Sequence, residues 1–170
     1  MSKSTFLQGA LILTAAGVIV KIIGAVNRIL LSRLLGGEGI GLYQMAYPIY
    51  QLALSISSAG IPVAISLLVA EKTALGDFRG ANRIFRISFT LLVITGLLFT
   101  GLLYFGAGWL VEQHLVRDAR AYWAIVALAP AIFFVTILSS YRGYFQGLQE
   151  MTPTAVSQIV EQLVRVATMI

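Results

Sequence analysis

Long apolar stretches alternate with short polar ones along the whole chain. A helix that crosses a bilayer needs about 20 mostly apolar residues, and the pattern predicts five such spans. They are 5–31, interrupted by Lys21 and Arg28; 42–70, without a charge; 87–111, polar only at Ser and Thr; 121–141; and 152–170, with Pro153 in a favoured first-turn position. Ser32–Gly41 between the first two reads as a Gly-rich turn. The uncharged stretch 39–70 is too long for a straight helix across a core of about 30 Å, at about 1.5 Å per residue. It must tilt, kink or emerge, and Pro48 and Pro62 are the places offered. The first span runs on past Lys21 towards Arg28 without a clear small-residue cleavage site, so it reads as a retained span. The fifth reaches Ile170 without a terminator, so the expectation is a fragment of a longer protein, or an inactive remnant.

Composition agrees with the pattern. Apolar residues make up 58% of the chain and charged residues 11%, against about 45–50% and about 25% in soluble domains. An all-α membrane protein follows. The chain has no Cys, which excludes disulfides and thiolate metal sites. His114 is the single His, and Asp77 and Asp118 have no partner at catalytic spacing. No enzyme, cofactor or metal chemistry is expected. The net charge of +5 is modest, and nucleic-acid binders concentrate Lys and Arg far more densely.

In a membrane protein those cations report topology. Lys3, Lys72, Arg79, Arg83, Arg86 and Arg142 fall in one set of loops, and Arg28, Arg33, Arg117 and Arg120 in the other. The bias predicts a cytoplasmic N-terminus. Lys72, Arg79, Arg83 and Arg86 are spaced as one face of a helix, suited to anionic lipid headgroups or to ordinary positive-inside anchoring.

Polar residues at depth mark three of the spans. Thr14, Gly17, Lys21, Gly24 and Arg28 form one stripe on the first, where Arg28 reads either as a cavity residue or as snorkelling to the interface. Gln44, Tyr47, Gln51, Ser55 and Ser58 form a second stripe, and Thr154, Gln158, Glu161, Arg165 and Thr168 a third. Ionisable groups at such depth cost at least ~2.5–3.5 kcal/mol each, so they should face a bundle interior or a wet cavity. Glu161 and Arg165 are an i, i+4 pair that either neutralises itself or responds to protons or ions. The striped helices are expected to line a hydrated cavity while the third and fourth spans face lipid. Ser139, Gly143 and Gly147 offer a small-residue packing row, and Tyr43, Tyr47 and Tyr50 an aromatic belt or a platform for sugar rings.

The run LILTAAGVIVKIIGAVNRILLSRLLGGEGIGLYQMAYPIYQL resembles the opening of the stage V sporulation protein B and polysaccharide biosynthesis membrane proteins. IPVAISLLVAEKTALGDFRGANRIFR and APAIFFVTILSSYRGYFQGLQEMTPTAVSQIVEQLVRV look like the same family, so the resemblance covers essentially the whole chain. It implies the superfamily of multidrug, oligosaccharidyl-lipid and polysaccharide exporters, whose members carry about twelve to fourteen helices in two lobes around a central cavity. The chain would be most of the first lobe, partnered by a C-terminal lobe and by membrane lipids in a bacterial plasma membrane. The implied activity is flipping of an undecaprenyl-pyrophosphate-linked saccharide, such as a peptidoglycan precursor, by alternating access. An ion-coupled drug or cation antiporter of the same superfamily is the alternative, with Glu161 as its coupling acid.

The lipid II flippases of this superfamily have a first-span pattern of Ser-Arg, two residues, Gly, two residues, Arg. Here Lys21 stands where the first Arg would be and Asn27 where the second would be, with Arg28 one step on. Their second-span Arg has no counterpart, because Gln51–Ala59 carries no charge. The resemblance with the stripes predicts a cavity of Lys21, Asn27, Arg28, Gln44, Gln51, Glu161 and Arg165, its cations on the pyrophosphate.

Overall fold

The computed structural model describes residues 3–113 and 118–167, with side chains from residue 11 onward together with Gly9. The side chain of Lys3, and His114, Arg117 and Thr168 as a whole, lie outside the described residues. The described residues form five helices: α1 (Lys3–Ser58), α2 (Ile61–Ala74), α3 (Phe78–Glu112), α4 (Ala121–Gly147) and α5 (Met151–Ala167). No strand occurs among the described residues. Leu11–Ala74, which is bent, Phe78–Glu112 and Ala121–Gly147 are each long and apolar enough to cross a membrane. The protein is an all-α membrane protein.

The breaks sit where local chemistry permits them. The expected turn over Ser32–Gly41 shrinks to one residue: helix continues on both sides of Gly36, whose φ of 65° and ψ of −176° divide α1 into a first arm (3–35) and a second arm (37–58). Only glycine takes that conformation without a steric penalty. The stretch 42–70 is interrupted at Ala59 and Gly60, both at positive φ, and α2 then starts with Pro62 in its first turn. Pro48 sits inside the second arm with no break beside it. Gly76, at φ 74°, separates α2 from α3, and the Asp77 carboxylate accepts a hydrogen bond from the Gly80 N–H at 2.8 Å. Lys72 therefore belongs to α2 and only Arg79, Arg83 and Arg86 share a helix. The basic face expected over all four is split by this cap.

Packing is antiparallel between α3 and α4, where Gly96 meets Thr136 and the Thr100 hydroxyl donates to the Ala129 carbonyl at 3.2 Å. One buried cluster joins Ala46, Tyr50 and Ala53 of the second arm to Leu103 and Ala107 of α3 and Ala121, Ile125, Ala129 and Ile132 of α4. A second joins Ile65 and Val69 of α2 to Ala81 and Leu92 of α3. The other end of α4 closes on α2 through glycines. A Cβ at Gly143 would stand 2.5 Å from the Pro62 carbonyl oxygen, and one at Gly147 would stand 2.7 Å from Val69. Ser140, not Ser139, continues that row, because Thr136, Ser140, Gly143 and Gly147 are the buried positions.

The fourth span was expected to face lipid. Instead α4 is central, touching α1, α2, α3 and α5. Its small residues, and hydroxyls that bond their own helix backbone, let neighbours approach on several sides. One side of α3 stays uncovered, exposing Ile94, Leu97, Leu98, Leu102 and Phe105.

Candidate functional site

The two arms of α1 diverge from Gly36, and α5 packs along the first arm. Gly9 lies against Met151 and Gly24 against Gln162, so α5 runs parallel to that arm. A cavity of about 450 Å³ fills the crotch of the bend. The first arm supplies Asn27 and Arg28, the second supplies Tyr43, Gln44 and Tyr47, and α5 supplies Arg165. A second recess, lined by Arg28, Gln44 and Arg33 among others, shares its wall with the first. Arg28 and Gln44 thus stand between two hollows.

Arg28 reaches the cavity because it lies one turn beyond Gly24 on the same face of the first arm. Asn27, beside it in the lining, is 8% exposed, and its Oδ1 has no hydrogen-bond partner among the described residues. Gln162 Oε1 on α5 is buried in the same condition. Such groups are costly to bury unless something polar engages them. Tyr43 and Tyr47 stack with ring centroids 5.5 Å apart, and both line the cavity, while Tyr50 is buried in the core cluster. Tyr50 therefore points into the protein, whereas Tyr47 lines the cavity and stays 41% exposed. Arg28 and Arg165 both lie close enough to act electrostatically on the Tyr43 hydroxyl.

The cavity brings together Asn27, Arg28, Gln44 and Arg165 of the residues expected from sequence. Lys21 and Gln51 are exposed and do not line it. Lys21 shares a face with Gly24 and Arg28 and stands about 10 Å further along the first arm. Gln51 is one turn beyond Tyr47 on the polar face of the second arm, whose opposite face carries the buried Ala46, Ala53 and Ser57. Glu161 also stays out of the lining, because its carboxylate is engaged elsewhere. Oε1 accepts from Arg165 Nη2 at 3.1 Å, and Oε2 accepts from Arg142 Nη2 at 2.8 Å.

Arg142 is the residue that sequence reading misplaced. Counted as a loop cation, it lies within α4, which continues to Gly147, and it is largely buried against α5. Its Nε donates to Ser157 Oγ at 3.0 Å. The signal available was the acid Glu161 on the next helix.

Two permanent cations, amide groups and paired phenol rings surround one hollow, a set of groups chemically matched to an anion carrying hydroxyl-rich groups. Guanidinium forks match phosphate oxygens, and amides and aromatic faces match sugars. No group of three or more carboxylate, His or Cys side chains that could hold a metal occurs among the described residues.

A family model described as polysaccharide biosynthesis protein matches residues 6–170. The chain is 44% identical to the stage V sporulation protein B of Bacillus subtilis (strain 168), over 98% of the chain and 32% of that protein. It is 33% identical to the lipid II flippase MurJ of the same organism, over 96% of the chain and 31% of that protein. It is 35% identical to the uncharacterized membrane protein YabM, also of that organism, over 96% of the chain and 30% of that protein. The chain spans about a third of the length of these curated relatives. No solved structure matches it.

Proposed function

Because the chain belongs to the polysaccharide biosynthesis protein family, we propose that it forms one wall of a flippase cavity for an undecaprenyl-pyrophosphate-linked saccharide. The observation that carries this is the meeting of Arg28 and Arg165 in one hollow, with Gln44 and Asn27 beside them. A pyrophosphate would bind the guanidiniums, and the sugar would meet the amides and the rings of Tyr43 and Tyr47. The prenyl chain would stay in lipid along Ile22, Val26 and Ile29, which the first arm exposes. The facing wall would come from the part of the relatives' length that this chain does not span. Rocking of the two lobes about the bound headgroup would then carry it from the cytoplasmic to the outer leaflet, with the N-terminus cytoplasmic.

An antiporter needs an acid that is free to exchange protons or ions, and Glu161 bound to two guanidiniums is poorly suited to that. The pairing supports the flippase reading. The test is transport of a prenyl-diphosphate saccharide by the intact protein in proteoliposomes. Arg28→Ala combined with Arg165→Ala should abolish it, and wild-type flipping by that variant would overturn the cationic cavity. Lys21→Ala measures how far the cationic stripe extends. Proton- or sodium-driven efflux lost in Glu161→Gln would favour the antiporter instead.

A further inference from the structure

Arg79, Arg83 and Arg86 stand at the start of α3 and line neither recess at the bend of α1. Helical spacing puts them on one side of α3, which continues through Thr90, Ile94 and Leu97. The opposite side is pinned to the bundle. Ala81 and Leu92 are buried with Ile65 and Val69 of α2, and the Phe85 ring lies 5.3 Å from that of Tyr141 and 4.6 Å from that of Tyr144 on α4. The three arginines therefore project from a fixed helix away from the protein. All three are exposed, and none has an ion pair or a side-chain hydrogen bond among the described residues. Lys72 differs, because its ammonium faces the Asp77 carboxylate at 4.0 Å.

The far end of α3 carries Trp109, exposed like Trp123 near the start of the antiparallel α4. Between Arg86 and Trp109 the helix rises about 35 Å at about 1.5 Å per residue, close to a hydrocarbon core of about 30 Å. Cations at one border and tryptophan at the other are the groups that mark the two edges of a bilayer. Leu75 and Phe78, exposed at the α2–α3 corner, add apolar surface at the basic edge.

We infer that this end of α3 is a binding site for an anionic phospholipid, its phosphate on Arg79, Arg83 and Arg86 and its acyl chains along Ile87, Ile94 and Leu98. Ordinary positive-inside anchoring needs only cations somewhere in a loop. Here three guanidiniums and an uncovered apolar run share one helix side, so the headgroup and the chains of a single lipid are met together. Guanidinium forks match phosphate oxygens, and each cation near an anionic leaflet adds to the attraction. A protein partner on this side would have to bring acids of its own, or leave the arginines covered and uncompensated. A leaflet of anionic lipid supplies those charges directly. The site lies apart from the cavity and does not depend on the flippase reading.

The test places the intact protein in phosphatidylcholine nanodiscs holding a trace of photoactivatable phosphatidylglycerol or, in parallel, photoactivatable phosphatidylcholine. Cross-links are mapped by peptide mass spectrometry. The phosphatidylglycerol probe should label residues 75–98 at least about tenfold more than the neutral probe, and high salt should narrow that preference. Arg83→Gln should cut it by about fivefold, the scale of one cation at an anionic surface. Arg79→Gln, Arg83→Gln and Arg86→Gln together should bring the two probes to parity, whereas the three changes to Lys should keep most of the preference. Equal labelling by both probes in the wild type, or an undiminished preference in the triple Gln variant, overturns the inference and leaves the arginines as ordinary anchors. Displacement of the phosphatidylglycerol cross-links by equimolar farnesyl diphosphate also overturns it, because the site would then belong to a prenyl lipid. If the triple Gln variant does not purify as a folded species, Arg83→Gln and the salt series decide by the same criteria.

Discussion

Between α3, α4 and α2 the helices meet through small residues, with Gly96 beneath Thr136, Gly143 on the Pro62 backbone and Gly147 on Val69. Between the first arm of α1 and α5 the contact is of another kind. Amide oxygens of Asn27 and Gln162 that have no partner among the described residues are buried there, α5 is tied to α4 by charge, and the arm leaves Leu11, Val18, Ile22 and Ile29 exposed. Lipid tails are as apolar as Leu, so apolar character alone cannot hold helices together inside a membrane. Close backbone approach can, and it builds a rigid unit. Polar groups at depth are the costly alternative. Arg28, Glu161 and Arg165 lie on the side of the molecule that holds the cavity.

That contrast can be broken most forcefully on the packed side. Gly143→Leu or Gly147→Leu should lower stability by about 3 kcal/mol, read as the unfolding midpoint in detergent, because the added side chain meets backbone that cannot move aside. Gly17→Ala, whose Cβ would meet nothing within 4 Å, should be neutral or stabilising by the same assay. Equal losses in both would erase the distinction between the two regions.

On the cavity side the larger effect should be on ligand and not on fold. Arg28→Ala should cost about tenfold in prenyl-diphosphate affinity, one charge-assisted contact, with the unfolding midpoint almost unmoved. A matching loss of stability would mean that Arg28 is structural. At the α2–α3 corner, Asp77→Ala should remove a cap worth about 1 kcal/mol and leave binding unchanged.

The smallest effect concerns Asp118, in the turn before α4. Hydrogen bonds from the Arg120 side chain and backbone hold its carboxyl below the ordinary range. A depressed folded-state value stabilises above the unfolded pKa and is lost as pH falls through the folded one. Acidification below the usual carboxylate range should therefore loosen this turn slightly, and Asp118→Asn should remove that part of the pH dependence. Arg120 also bridges to Glu38 at 3.4 Å, so the same variant tests whether the turn steadies the bend at Gly36. Both partners are exposed, and high salt should mimic the change.

The helices and most of their breaks were legible in the residues. Pro62 and Pro153 mark helix starts through conformations that involve only near neighbours, whereas the cap of Asp77 on Gly80, which starts α3 ahead of residue 87, was not read. Gly36 was legible as part of a turn, but not as the single residue on which α1 bends. Arg28, Gln44 and Arg165 could be nominated because each sits on a polar stripe of its own helix. Helical periodicity describes one cylinder at a time, so it could not say that Lys21 and Gln51 would fall outside the hollow where those stripes meet.

The sequence by itself determined that this is a helical membrane protein with polar faces on particular helices, because transfer cost and backbone preference act within a few residues of each position. Only the tertiary structure decided that α4 is central, that Asn27 is buried while Lys21 is not, and that Arg142 is bound to Glu161 and does not stand in a loop. Those outcomes depend on which surfaces come within a few ångströms of each other across long separations in the chain. Arg142 is satisfied by the partner that packing delivers, and that partner sits on another helix.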